Sequence, residues 1–170
     1  MRTEVLMLYL IVGVGLLAAD QWVKYWVVTH LEPGGFTPLI PGFVELFRVH
    51  NYGAAWSSFS GMRWLLLAVT CAIVLAVTYA VVKKFVRHPL GLVASTLIIS
   101  GGLGNIIDRA RLGYVVDMFN FQFISYPVFN VADMCIVSGA ILGAIYYLWF
   151  YEKYDKKGNA HGNADITGKS

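Results

Sequence analysis

Charge is what this chain has least of. Acidic and basic residues make up 14% of its 170 positions, where water-soluble chains carry about 25%. That shortage, with 58% hydrophobic residues and a mean hydropathy of +0.62, excludes a soluble domain. The net charge of +3 is small. The basic residues are clustered and form no stripe, so no nucleic-acid partner is expected. Cysteine is nearly missing. Cys71 and Cys135 suit neither a disulfide framework nor a metal knuckle. Both lie in or beside apolar runs and read as small buried side chains. Cys135, two residues after Asp133, leaves a thiol nucleophile as the competing reading. Histidine is scarce as well, and only His50 lies near the outer polar groups. No His, Cys and carboxylate set has metal-ligand spacing, so neither a metal nor a cofactor is expected. There is no internal repeat to support inverted-repeat transport.

What is present is apolar length. A helix needs roughly 20 residues to cross a bilayer core. Four stretches qualify: about Val5–Val28, Trp64–Val82, Leu90–Ile107 and Met134–Tyr151. Backbone facing lipid must satisfy its own hydrogen bonds, so these are helices. The first run continues through Trp22, Trp26 and Val28, too long for a cleaved signal core. Residues 1–152 are expected to form one four-helix membrane domain, and 153–170 a polar, disordered cytoplasmic tail. Arg2, then Lys83, Lys84 and Arg87, then Lys153, Lys156 and Lys157 fall on one side, which should be cytoplasmic. Both termini belong to that side. Thr29–Arg63 and Asp108–Asp133 then face outward. Within the first outer segment, Phe43 to His50 reads as a strand with a bulge, because Glu45 falls out of phase with Arg48 and His50.

The polar residues near the apolar runs are few and specific. Asp20 and Lys24 are four apart in span one and share a helix face. They form a self-neutralised pair with Lys24 snorkelling outward, or else a polar contact for a substrate. Span three ends in Gly101-Gly102-Leu103-Gly104-Asn105-Ile106-Ile107-Asp108-Arg109. Its glycines permit close helix packing or a close-lying ligand. Asn105, Asp108 and Arg109 lie on one face, a hydrogen-bonding platform at the outer surface. Asn130 is placed to cap the helix of span four, with Asp133 as its capping-box partner. Asn51-Tyr52-Gly53-Ala54-Ala55-Trp56-Ser57 reads as an interfacial anchor, or as a small-residue loop with room for an extended peptide.

Asp117 and Asp133 flank the last outer segment. Carboxylates beside hydrocarbon are costly and mark function by default. Two carboxyl groups sharing one water cannot both stay charged. The ionised one takes a proton from water while the protonated one polarises a scissile carbonyl, as in aspartic proteases. Asp133, at a helix start, is expected to be the more acidic member. A capping role alone would account for Asp133 but not for Asp117. The rival function is a transporter relay through Asp20, Asp108, Asp117 and Asp133. A relay spreads carboxylates through the membrane depth, whereas three of these four fall at one edge.

Five segments together resemble bacterial lipoprotein signal peptidase, the signal peptidase II family. They are Asp20-Gln21-x-x-Lys24, Asn51-x-Gly53-Ala54-Ala55-x-Ser57, the glycine run through Gly104-Asn105-x-x-Asp108-Arg109, Val115-Val116-Asp117, and Phe129-Asn130-x-Ala132-Asp133. They occur in family order and cover all but the tail. Trp56 and Met118 stand where the family more often has Phe. The resemblance implies an all-α polytopic membrane protein of four transmembrane helices, with a small extracytoplasmic β-rich cradle and a short surface helix. It implies an aspartyl endopeptidase of the bacterial cytoplasmic (inner) membrane, with its active site at the outer surface. Its substrate would be a diacylglyceryl-modified prolipoprotein, cut just before the lipidated cysteine. Asp117 and Asp133 would be the catalytic dyad. Asn105, Arg109 and Asn130 would surround it, with Asp20, Asn51 and Gly53 near the substrate pocket. Lys24, Gly104, Asp108 and Ala132 belong to the same segments and would support the site. Membrane lipid and globomycin-type inhibitors are the further partners implied.

Overall fold

A computed structural model describes residues 3–54 and 58–156. The four apolar stretches are helices α1 (Thr3–His30), α2 (Arg63–Val82), α3 (Pro89–Arg111) and α4 (Val131–Tyr146). Helix α4 continues as wider π-helical turns over Tyr147–Lys156. Each helix is long and apolar enough to cross a membrane. Large apolar side chains such as Leu10, Ile11, Leu75 and Val82 are exposed on their outer faces, as expected where lipid is the solvent.

Helix α3 is the centre of the bundle and packs on α1, α2 and α4. Half of its apolar window is buried, against 6% for α1. Membrane helices gain no hydrophobic free energy by associating, so close van der Waals contact must hold them. The glycine run makes this possible on three sides at once. A Cβ on Gly101 would overlap the Ala132 carbonyl of α4. One on Gly102 would come within 2.5 Å of Val74 in α2, and one on Gly104 within 2.5 Å of Asp20 in α1.

A three-stranded antiparallel sheet lies at one end of the bundle, in the order β1 (Phe36–Ile40), β2 (Val44–Asn51), β3 (Val115–Phe121). The bulge expected in β2 is present, as a register shift between Leu46 and Val49. Strands β1 and β3 were not legible as strands. Pro38 sits in β1, which is tolerated because β1 is an edge. Val27, Leu46, Val116 and Met118 form the small core between α1 and the sheet. Arg48 donates to the carbonyls of Val28 and Leu31, closing the end of α1.

One expectation needs correction. The tail does not start at residue 153. Asp155 is helical and 1% exposed, and it accepts from the Arg87 and His88 backbone N–H groups and the Tyr146 hydroxyl. A carboxylate with that many donors staples α4 to the α2–α3 link. Residues 157–170 lie outside the described residues. No separate surface helix is present among the described residues; residues 55–57, in the stretch from β2 to α2, lie outside them.

The Gly101 contact is with backbone, which no side-chain rotation can relieve. Gly101→Ala is expected to destabilise the bundle by about 1–3 kcal/mol, read as a lower thermal midpoint in detergent. Gly15→Ala, where a Cβ would meet nothing within 4 Å, should leave it unchanged.

Candidate active site

The sheet and the start of α4 are joined by more than chain connectivity. Met118 and Phe119 donate their backbone N–H groups to the Phe129 carbonyl, and Phe129 donates back to Phe119. This short zipper lays Asn130 beside Asp117. The Asn130 amide donates to Asp117 Oδ1 at 2.6 Å, and its Oδ1 accepts from the Asp133 backbone N–H at 2.8 Å. The capping box expected at this helix start is complete, with Asp133 Oδ2 accepting from the Asn130 N–H. One residue therefore holds both aspartates.

The remaining carboxylate oxygens are engaged by side-chain amides. Asn51, at the end of β2, donates to Asp117 Oδ2 at 2.8 Å, and Asn105 of α3 donates to Asp133 Oδ1 at 2.8 Å. Asp117 and Asp133 line one cavity of about 710 Å³ together with Asn51, Asn105 and Arg109. Its apolar walls include Leu66 of α2 and Ile136 and Val137 of α4, and Ser125, Tyr126 and Pro127 line it as well. Asp117 is 2% exposed. Burial first, and the charge of Asp133 second, push its pKa up to about 7. A cavity with one carboxyl group protonated near neutral pH, beside a second carboxyl group, can transfer protons in both directions.

Residues 12–150 match the family model for signal peptidase (SPase) II. The chain belongs to the signal peptidase II family. The lipoprotein signal peptidase of Enterococcus faecalis is 37% identical over 156 residues, covering 92% of this chain and 96% of that one. That of Streptococcus pyogenes serotype M6 is 42% identical over 142 residues, covering 82% and 91%. A bacterial membrane enzyme solved by the in meso method at 2.3 Å superposes with a TM-score of 0.79 at 32% identity, covering 82% of this chain and 87% of that one. A second, at 1.9 Å, gives 0.76 at 32% identity, covering 84% and 93%. Four helices with a small sheet are thus an architecture this chain shares with solved bacterial membrane enzymes.

Within this signal peptidase II fold, the residues singled out from sequence divide into two layers. Asn51, Asn105, Arg109, Asp117 and Asp133 line the cavity. Gly53 sits beside it, its carbonyl accepting from Arg109 Nη2 at 2.8 Å and its N–H bonded to Asn51 Oδ1. Asp20, Lys24, Gly104, Asp108, Asn130 and Ala132 are not among the residues that line it. Lys24 does not snorkel. It is 3% exposed and its Nζ turns inward to Asp20, Asp108 and Asn105. Asp20 is likewise a buried anchor, accepting from the Ala132 backbone N–H. Neither residue lines the cavity, and Asn105, which does, bonds Lys24 through its Oδ1. Cys135 packs against Gly101 and does not line the cavity either.

Sequence reasoning named Gln21 in a motif but gave it no role; its amide donates to Asp20, Asp108 and the Gly104 carbonyl. Its place between Asp20 and Lys24 was the available signal. Sequence reasoning missed the wall formed by His50 stacked on Tyr114 at 4.0 Å, with Tyr52 against the same ring. Burial and the Arg48 charge lower the pKa of His50, so its ring is neutral in that wall at neutral pH.

The raised pKa of Asp117 makes a stability prediction. Between 3.8 and about 7 the folded protein binds a proton that the unfolded chain releases, so stability falls as pH rises through that window. Asp117→Asn carries no such proton. Its thermal midpoint should exceed that of the parent above about pH 7 and converge with it near pH 4.

Proposed function

We propose that this chain removes the signal peptide from diacylglyceryl-modified prolipoproteins, cutting just before the lipidated cysteine, with Asp117 and Asp133 as the catalytic dyad. The observation that carries the proposal is the pairing itself. Both carboxyl groups line one cavity, each is held by side-chain amides, and Asp117 retains a proton near neutral pH. Membership of the signal peptidase II family supports the substrate class.

In the proposed reaction, ionised Asp133 takes a proton from a water molecule as that water attacks the scissile carbonyl. Protonated Asp117 donates a hydrogen bond, then its proton, to the carbonyl oxygen. The resulting gem-diol collapses when Asp133 returns its proton to the leaving amine and Asp117 recovers its own from a diol hydroxyl. The dyad ends as it began, and no side chain is acylated. The state is a property of the pair, so the pH profile reports two shared ionisations. The apolar walls at Leu66, Ile136 and Val137 suit a signal segment with lipid chains remaining in the bilayer. Globomycin-type inhibitors would occupy the same cavity.

The basic residues set the proposed orientation. Lys83, Lys84 and Arg87 lie on the α2–α3 link, and Lys153 and Lys156 on the end of α4, the end away from the dyad. By charge bias that end is cytoplasmic. Both termini then lie in the cytoplasm and the cavity opens at the outer surface of the bacterial cytoplasmic membrane.

The test is cleavage of a diacylglyceryl-modified prolipoprotein by the purified protein in detergent. Asp117→Asn and Asp133→Asn should each remove activity by at least about a thousandfold while remaining folded. Chelators and Cys135→Ala should leave the rate unchanged. Full activity in either Asn variant would refute the dyad.

A further inference from the structure

Behind the cavity, three buried contacts lead from one cation to both aspartates. Lys24 Nζ lies 2.9 Å from Asp20 Oδ2 and 3.1 Å from Asp108 Oδ2, and it donates to Asn105 Oδ1 at 3.1 Å. Each of those partners holds a different part of the dyad. Asp108 Oδ2 accepts from the backbone N–H of Val116, the residue before Asp117, at 3.0 Å. Asp20 Oδ1 accepts from the backbone N–H of Ala132, the residue before Asp133, at 2.8 Å. Asn105 turns its oxygen to Lys24 and its Nδ2 to Asp133 Oδ1.

Resting on the dyad reading, we propose that Lys24 is a positioning residue: it sets the spacing of Asp117 and Asp133 by clamping the peptide unit before each one and by fixing the orientation of the Asn105 amide. The geometry is nearly symmetric. One carboxylate from α1 and one from α3 each grip a peptide N–H, and the ammonium joins the two grips. Without the cation, Asp20 and Asp108 would repel across a dry gap, since Asp20 is 2% and Asp108 4% exposed. The bridge needs a point charge with three donors on a flexible stem, not a planar fork. Lys24 meets the site from α1, Asp108, Asn105 and Arg109 from α3, Asp117 from β3, and Asp133 from α4. The same cation lowers the proton affinity of Asp117 through space. Removing it therefore has a readout that a purely structural role would not move.

The test compares Lys24→Met, close in length but uncharged, with the parent on the diacylglyceryl prolipoprotein. The expected result is a kcat lower by about a hundredfold, a KM within about threefold, and an alkaline limb of the pH profile moved to higher pH. Lys24→Arg should not restore kcat. A parental kcat and pH profile in Lys24→Met would overturn the proposal. Should that variant not fold, Lys24→Met with Asp108→Asn keeps the cluster's net charge. Its amide oxygen can still accept from the Val116 N–H. If Lys24 only balances charge, this double variant recovers parental kcat and the clamp is refuted. If Lys24 positions the dyad, kcat stays at least about tenfold down. Asp117→Asn is assayed beside them. An inactive Asp117→Asn with an unimpaired Lys24→Met removes the clamp alone, whereas an active Asp117→Asn removes the dyad and the clamp together.

Discussion

The sheet end of the bundle is organised around one buried ammonium group, that of Lys24. A lone buried charge in an apolar bundle is costly enough to unfold it, so Lys24 dictates its surroundings. Two carboxylates and an amide oxygen must lie within about hydrogen-bond distance, and the helices that carry them must come close together. Gly104 is the concession that lets Asp20 reach Lys24 and Ala132 at once. Leaving a Cβ there would push α1 off α3 and strand the charge. Close packing and charge satisfaction are therefore a single requirement, met in the middle of α3.

The site above that cluster is assembled from four separate pieces of chain. A strand supplies Asp117, a helix start supplies Asp133, a second strand supplies Asn51 and the end of α3 supplies Asn105. Pieces so far apart in sequence need cross-ties. Asn130 bonds both aspartates, and Arg109 ties the Gly53 carbonyl to the end of α3. Amide side chains are well suited to this work. They donate strongly, carry no charge to compete with the dyad, and keep a fixed plane.

The helices and the capping of α4 were legible because their signals are local. An apolar run of twenty residues reads the same in any fold, and Asn130 with Asp133 is a capping pattern three residues long. The glycine run announced close packing, though not that three glycines would serve three different neighbours. What sequence could not supply was depth. Asp20 and Lys24 look like a helix-surface pair by spacing, and only the packing of α3 against α1 shows that they face inward. Strand β3 was hidden for a similar reason. Val115 to Met118 are all buried, so no alternation marks the strand. Asp155 read as tail because its partners, Arg87 and His88, lie 68 and 67 positions away.

The two aspartates are held by different partners because their secondary structures differ. Asp133 stands in the first turn of α4, where a backbone N–H is available to its side chain by the geometry of capping. Asp117 stands in a strand whose own N–H and C=O groups belong to the sheet, so only side-chain amides reach its carboxyl group. Burial and the charge of Asp133 outweigh the Asn51 and Asn130 hydrogen bonds and the Lys24 charge, and raise its pKa to about 7. Two aspartates placed both on strands or both at helix starts would lack this difference in partners. The zipper between β3 and Phe129 supplies it, because it is what sets a strand beside a helix start in the first place.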